Sequence, residues 1–244
     1  MDNFYYILIK NNGDIIHNIF ATSHKDLIGK YTTPEDARDK TYIKAMFSPK
    51  DGYRLDDVNN YQLIHCESYI PEWFTEIFEI QILNNLKTII DSMIIRNRKT
   101  LLLHEGAILV GNAVIDEIKH SVIFAMYDNA KIKILDCASQ IHEMTDDTQI
   151  DEMHDNTNII NMNGFAKINK MFNYSKVFKM YGQAKVGIMY DHSRITILKG
   201  DASITEMYDE SQAERLKHMS RIDEMHGHSV VEEMWDWTVV EKMF

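Results

Sequence analysis

Tyr181-Gly182-Gln183-Ala184-Lys185-Val186-Gly187-Ile188-Met189 runs without a break into Tyr190-Asp191-His192-Ser193-Arg194-Ile195-Thr196-Ile197-Leu198. The two nonapeptides share one grammar. A small residue is followed two positions later by Ile or Val. Met or Leu comes three after that, and a turn former two later still. Outward in both directions the pattern holds. Stepping by nine from Ile123 to Val240 meets Ile or Val at thirteen of fourteen positions, with Ala213 the exception. Met or Leu stands at all fourteen partner positions from Met126 to Met243, and a small residue at all fourteen from Ser121 to Thr238. The register runs unbroken over this stretch, so the repeat decides the fold.

The small residue and the Ile/Val are two apart and face one way on a strand, while polar residues such as Gln149, Lys167 and Arg194 lie between them. A helix fails, because nine residues are 2.5 helical turns and successive anchors would point to opposite sides. A unit this short buries its apolar face only when stacked on others. The pattern therefore predicts a mainly β protein, a two-sheeted parallel β-solenoid of about 18 residues per coil. The small residue leaves room for the facing sheet, which favours two units per coil over a triangular three. The repeats then make seven coils and a rod of roughly 30–35 Å. Eleven of the fifteen methionines occupy the corner position of the unit. Their flexible, unbranched side chains suit an irregular gap, and they are read as core packing.

The first hundred residues read differently and contain all three prolines. Residues 1–105 are expected to form an α/β cap domain, and 106–244 the solenoid. Phe4 to Ile9 and Ile15 to Phe20 flank the turn signal Asn11-Asn12-Gly13-Asp14 and predict a hairpin. Thr33-Pro34-Glu35-Asp36 predicts a helix start, with the helix running to about Phe47. Tyr61 to Cys66 reads as a strand. Pro71-Glu72-Trp73-Phe74 opens a long helix with Phe74, Ile77, Phe78, Ile82 and Leu86 on its apolar stripe, closed by Arg96-Asn97-Arg98-Lys99. Leu101-Leu102-Leu103 is expected to help cover the first coil.

The net charge is −11, with 26 Lys+Arg against 37 Asp+Glu, which argues against direct nucleic-acid binding. From Val114 on, 22 acids face 14 bases, so most of the surplus belongs to the repeats. No apolar run is long enough for a membrane span, and Met1-Asp2-Asn3 does not open a secretory signal, so a cytoplasmic protein is expected. Cys66 and Cys137 do not make a disulfide framework. No P-loop, dinucleotide fingerprint, nucleophile elbow or His-Glu-x-x-His occurs, and no cofactor or metal is called for. Calcium-binding β-rolls need paired glycines that this repeat lacks. Ice binding would need outward threonines, whereas Thr148 and Thr157 sit on the inward small position.

Two units per coil sort the residue after Met/Leu into columns. One reads His154, Phe172, Tyr190, Tyr208, His226 and Phe244, an aromatic ladder along one edge that serves either to hold coils together or to bind. The candidate acidic surface comprises Asp146, Asp155, Asp191 and Asp209 at the turns, with Glu143, Glu152, Glu206, Glu224 and Glu233 beside the methionines. Trp235, Trp237 and Val239 mark an open sheet edge and predict end-to-end dimerisation. His65 beside Cys66 is the only nucleophile hint.

Asp128-Asn129-Ala130-Lys131-Ile132, Tyr181-Gly182-Gln183-Ala184-Lys185-Val186 and Tyr190-Asp191-His192-Ser193-Arg194-Ile195 resemble the Met-Tyr-Gly/Asp-x-Ser/Ala-x-Ile/Val units of uncharacterised nonapeptide-repeat proteins from bacteria, prophages and phages. Pro71-Glu72-Trp73-Phe74 looks like what precedes such arrays. The resemblance implies a phage or gut-bacterial setting, hence a host cytoplasm, and brings no catalytic residues with it. The functional expectation is a non-enzymatic interaction protein whose rigid acidic rod presents side-chain ladders to a protein partner. One alternative is a phage-encoded DNA mimic that blocks a basic nucleic-acid-binding protein of the host, a nuclease or a defence complex. Another is an enzyme with its site in the N-terminal domain.

Overall fold

The structure, a computed structural model, describes residues 5–18, 21 and 23–244. Phe4 and the end of the Ile15 to Phe20 run lie outside the described residues. The chain divides into two compact units, Met1–Ile94 and Ile95–Phe244.

The first unit is built on a four-stranded antiparallel sheet in the order Ile15–His17, Tyr5–Lys10, Tyr42–Pro49, Tyr61–His65. Ile7, Ile9, Ala45 and Phe47 are buried on one face, and Leu8 on the other clusters with Leu27 and Tyr42. The helix that starts at Thr33 ends at Arg38 and does not run to Phe47. Lys40 adopts a left-handed conformation, φ 49°, and the next residues pair with Tyr5–Lys10, Ile43 opposite Ile9. Aromatic and β-branched side chains that suit a helical count were better used in the sheet. A helix at His24–Tyr31 follows a Ser23/Asp26 capping box. The long helix is Glu76–Met93, capped by Thr75, whose hydroxyl accepts from the Phe78 N–H at 3.3 Å. Ile82, Leu86 and Ile90 are buried along it, but Ile77 is 72% exposed and off the packed stripe.

The second unit is a parallel β-solenoid of about eight turns. Two nine-stranded sheets run from Lys99–Leu103 to Val239–Met243 and from Ile94–Ile95 to Val230–Met234. Within each sheet a strand pairs with the one eighteen residues on, so like positions stack. Ile132, Ile150, Ile168, Val186, Ile204, Ile222 and Val240 form one column. Met144, Met162, Met180 and Leu198 belong to the matching column of the other sheet. From Ile115 to Ile222 every anchor and every methionine or leucine of the repeat is buried, and with the small residues they fill one continuous core. The methionines are core, as their position required.

At each corner the residue two after Met/Leu is left-handed, without exception from Asp128 to Asp236. That conformation is costly for most L-residues and tolerated by Gly, Asn and Asp, which explains the turn formers of the repeat. The N–H of the next small residue closes the turn, as Ser193 does on the Tyr190 carbonyl at 3.1 Å. The ladder continues around the bend, for example from the Phe165 N–H to the Asp146 carbonyl at 2.9 Å.

The rod starts earlier than the repeat. Leu101–Leu103, expected as a cover, belongs to a solenoid strand, Lys99–Leu103, before the boundary placed after residue 105. There the spacing contracts: Ile115 pairs with Ile132 and Lys99 with Ile115, seventeen and sixteen residues apart instead of eighteen.

On one sheet face His142 packs edge-on against Phe124, ring centroids 5.7 Å apart, and burial holds its pKa below the ordinary imidazole value. The folded rod therefore prefers neutral His142. Its contribution is complete above about pH 6.5 and is lost as pH falls below that value, where the unfolded chain binds the proton more readily. His142→Phe, which matches Phe124 and Phe178 of the same column, should shrink the fall in thermal midpoint between pH 7.5 and pH 5 relative to wild type. An equal fall in both would contradict this role.

Candidate functional site

The ladder forms as the columns required. His154, Phe172, Tyr190, Tyr208, His226 and Phe244 stack face to face, with centroids 4.5–5.4 Å apart and interplanar angles of 5–14°. Parallel pairing brings identical positions into contact, and each ring pair adds about 0.5–1.5 kcal/mol beyond its buried area.

The glutamates two residues before these rings serve the same stack. Glu152 meets His154 Nε2 at 3.1 Å, Glu206 accepts from the Tyr208 hydroxyl at 2.7 Å, and Glu224 lies 3.4 Å from His226 Nε2. Where the ring is Phe172 or Phe244 and offers no donor, the equivalent position is Lys170 or Lys242. On the opposite corner Glu233 accepts from the Trp235 indole N–H at 3.2 Å. The Glu206 hydrogen bond pushes the Tyr208 pKa up to about 12. Glu143 is followed by Met144 and Thr145, and has no ring to hold. These acids are thus orienting partners of the rings as well as surface charge. The signal was present in sequence as the recurring Glu-Met-ring tripeptide.

The turn aspartates bond between coils. Asp191 Oδ2 accepts the Asn173 N–H at 2.9 Å, and Asp209 Oδ2 accepts the Asp191 N–H at 3.3 Å. Asp155 Oδ1 accepts from the Asn173 side-chain amide at 3.1 Å. Asp146 does the same for the Asp128 N–H, 3.0 Å away, on the opposite corner. Like charges stacked one coil apart are tolerated because backbone and amide donors bind them.

Asp155, Asp191 and Asp209 share the corner of the aromatic ladder and line an open trough of about 500 Å³. Glu210 adds a fourth carboxylate, and Asn156 and Asn173 add amides. Tyr174, 61% exposed, stacks on His192 with centroids 5.0 Å apart and supplies an aromatic wall. Sequence reading found the ladder and the aspartates separately. It missed that the two residues after each ring place the aspartates beside Tyr174, His192 and Glu210.

At the start of this corner Asp136, Cys137 and Asp155 bring ligand-type atoms within 4.8 Å of one another. Burial pushes Asp136 upward, but the Cys137 N–H at 2.7 Å and its other hydrogen bonds outweigh this and hold its carboxyl below the usual range. Burial and the neighbouring Asp136 raise the Cys137 thiol, which disfavours the thiolate a metal would need. Trp235, Trp237 and Val239 lie on or beside the last strands, and all are exposed, Trp237 by 83%.

In the first unit His65 Nε2 meets Glu79 at 3.3 Å and packs edge-on against Phe74. Cys66 instead lines a cleft of about 490 Å³ with Lys40, Lys44, Glu67 and Tyr69. Burial, then Glu67, pushes its thiol up, and Sγ contacts the Ile64 carbonyl at 3.7 Å, so adjacency in sequence does not make a Cys–His pair. No helix among the described residues is long and apolar enough to cross a membrane. No family model, curated protein or solved structure matches the chain.

Proposed function

We propose that the protein is a non-enzymatic interaction module whose rigid rod receives a basic segment of a protein partner along its ring-bearing corner. The trough carries this reading. Four carboxylates stand in an open channel against the stacked Tyr174–His192 wall, a surface suited to Lys and Arg side chains that offer both charge and a flat or extended apolar stem. The repeat fixes the turn backbone, so the surface is preorganised and binding orders little of it. The ladder behind the trough stiffens the corner.

The alternative of a DNA mimic requires a continuous acidic ridge. The acidic columns are broken instead, Glu152 stacking on Lys170 and then Ile188, and Glu143 on Asn161 and then Lys179. A basic partner is therefore better accommodated in the trough than along the faces.

Asp155→Asn, Asp191→Asn and Asp209→Asn together remove three charges while keeping a side-chain acceptor and a residue tolerant of left-handed φ. The rod should stay folded by circular dichroism. Basic proteins captured from host lysate by the wild type at about 50 mM salt should be lost with the triple variant, and lost at about 500 mM salt. Equal capture by both proteins would contradict the trough as the site.

A further inference from the structure

The acidic rod is not acidic throughout. Residues 136–157 carry seven acids and no Lys or Arg, and 200–244 carry eleven acids against four bases. Between them, 158–199 carry seven bases and one acid, Asp191. The rod is thus banded, with nets of −7, +6 and −7. The basic band covers about 2.3 coils, roughly 11 Å of the rod.

The band's cations are poorly neutralised. Lys167 pairs in register with Lys185, and Lys176 with Arg194, like charges on adjacent strands that repel. Lys167, Lys179, Lys185 and Lys199 have no acidic side chain within ion-pair distance among the described residues, and all four are exposed. Elsewhere the column of Lys167 and Lys185 is paired, as in Lys131–Asp151 at 3.0 Å and Arg221–Asp223 at 2.7 Å. The positions that supply those acids hold Asn169 and Gly187 in the band.

The two faces differ. On one, Lys176 lies over the Phe178 ring at 4.5 Å and Arg194 is held by Glu214 at 3.2 Å. On the other, Lys167, Lys170 and Lys185 surround Asn169, Gly187 and Ile188; Glu152 approaches only Lys170, at 4.0 Å, and Asp151 at the edge accepts from the Asn169 side-chain amide at 2.9 Å. We infer that this second face is a docking surface for an extended acidic polypeptide segment lying along the strands. Such a segment occupies about 5–10 Å across, which fits the band. Carboxylates two residues apart on it face the same way and stand about 7 Å apart, within reach of the flexible stems of Lys167 and Lys170, which are both exposed on this face. A nucleic-acid duplex, whose grooves alone measure about 12 and 6 Å, overlaps the acidic zones on both sides. A single nucleic-acid strand draws on aromatic platforms, and this face has none among these six residues.

The test uses the full chain and three fluorescein-labelled probes read by anisotropy: a twelve-residue polyglutamate, a twelve-nucleotide oligothymidine and a twelve-pair duplex. The expected result is saturable binding of polyglutamate at about 20 mM salt, weakened at least tenfold at about 300 mM and at least tenfold by K167E/K185E. Lys185→Glu alone places an acid opposite Lys167, so it should hold the fold and still weaken the peptide. The trough variant of Asp155, Asp191 and Asp209 should bind the peptide no more weakly than wild type, which separates this surface from the trough. Absence of peptide binding, tighter binding of either nucleic acid, indifference to K167E/K185E, or a sedimentation mass of two copies lost in that variant would each overturn the assignment.

Discussion

Deleting residues 158–175 leaves a folded, shorter rod, whereas deleting Asn158 alone disrupts it. The first deletion removes one coil and joins Thr157 to Lys176, so the next strand, Lys176–Met180, takes the register of Asn158–Met162. Small residue, anchor and methionine keep their order, the left-handed turn falls on Gly182 in the column of Asp146, and Tyr190 stacks next to His154. Stability in such a stack is a sum over coils and their interfaces, so one layer is lost and the rest remains. Removing one residue instead turns the strand over, because side chains alternate. Ile159 would leave the core, where it is fully buried, and polar neighbours would enter. Each buried apolar side chain contributes about 1.5–3 kcal/mol, and each stranded polar group costs about 1–3 kcal/mol. Far-UV circular dichroism and limited proteolysis should show an intact rod for the eighteen-residue deletion and cleavage within the array for the single one. Equal behaviour would contradict the stacking.

Met171→Ala and Met180→Ala should each lower stability by about 2–5 kcal/mol, the range for removing a large buried side chain without collapse of the cavity. Both methionines are fully buried in a core that is only two sheets thick, so few neighbours can move into the gap. Met219→Ala should change stability by less than about 0.5 kcal/mol, since Met219 lies outside the buried column and is 63% exposed. Met171→Leu should cost under about 1.5 kcal/mol, because Leu135, Leu198 and Leu216 already occupy equivalent places. Urea midpoints at unchanged slope would measure all four. A Met171→Ala loss as small as that of Met219→Ala would remove the physical reason for the methionine column.

Much of the rod could be read from Ile123 onward, because a fixed period forces equivalent residues into equivalent environments. The first coils could not, since the contraction between Lys99, Ile115 and Ile132 and the irregular pairing at Ala107/Ile108 erase the nine-residue step. In the first unit the Pro34 signal located a real helix start. Its end depended on the pairing of Tyr42–Pro49 with Tyr5–Lys10, a contact distant in sequence. The aromatic ladder followed from the coil length. The trough needed three adjacent columns considered together, and the Glu152–His154 and Glu206–Tyr208 contacts show that charges read as free surface had local partners.

Every column, and with it the ladder, the trough and the basic band, depends on eighteen residues per coil. Paired cysteines test that number directly in a Cys66→Ser/Cys137→Asn background, where Asn suits the left-handed φ of residue 137. Asn161 and Lys179 are register partners, so their Cα atoms stand about 4.8 Å apart, within disulfide reach. Asn161→Cys with Lys179→Cys should oxidise to an intramolecular disulfide in the folded protein, seen by mass spectrometry. Asn161→Cys with Ile188→Cys should remain reduced, because those residues lie on different sheets. A disulfide in the second protein and none in the first would mean three units per coil and would contradict the account.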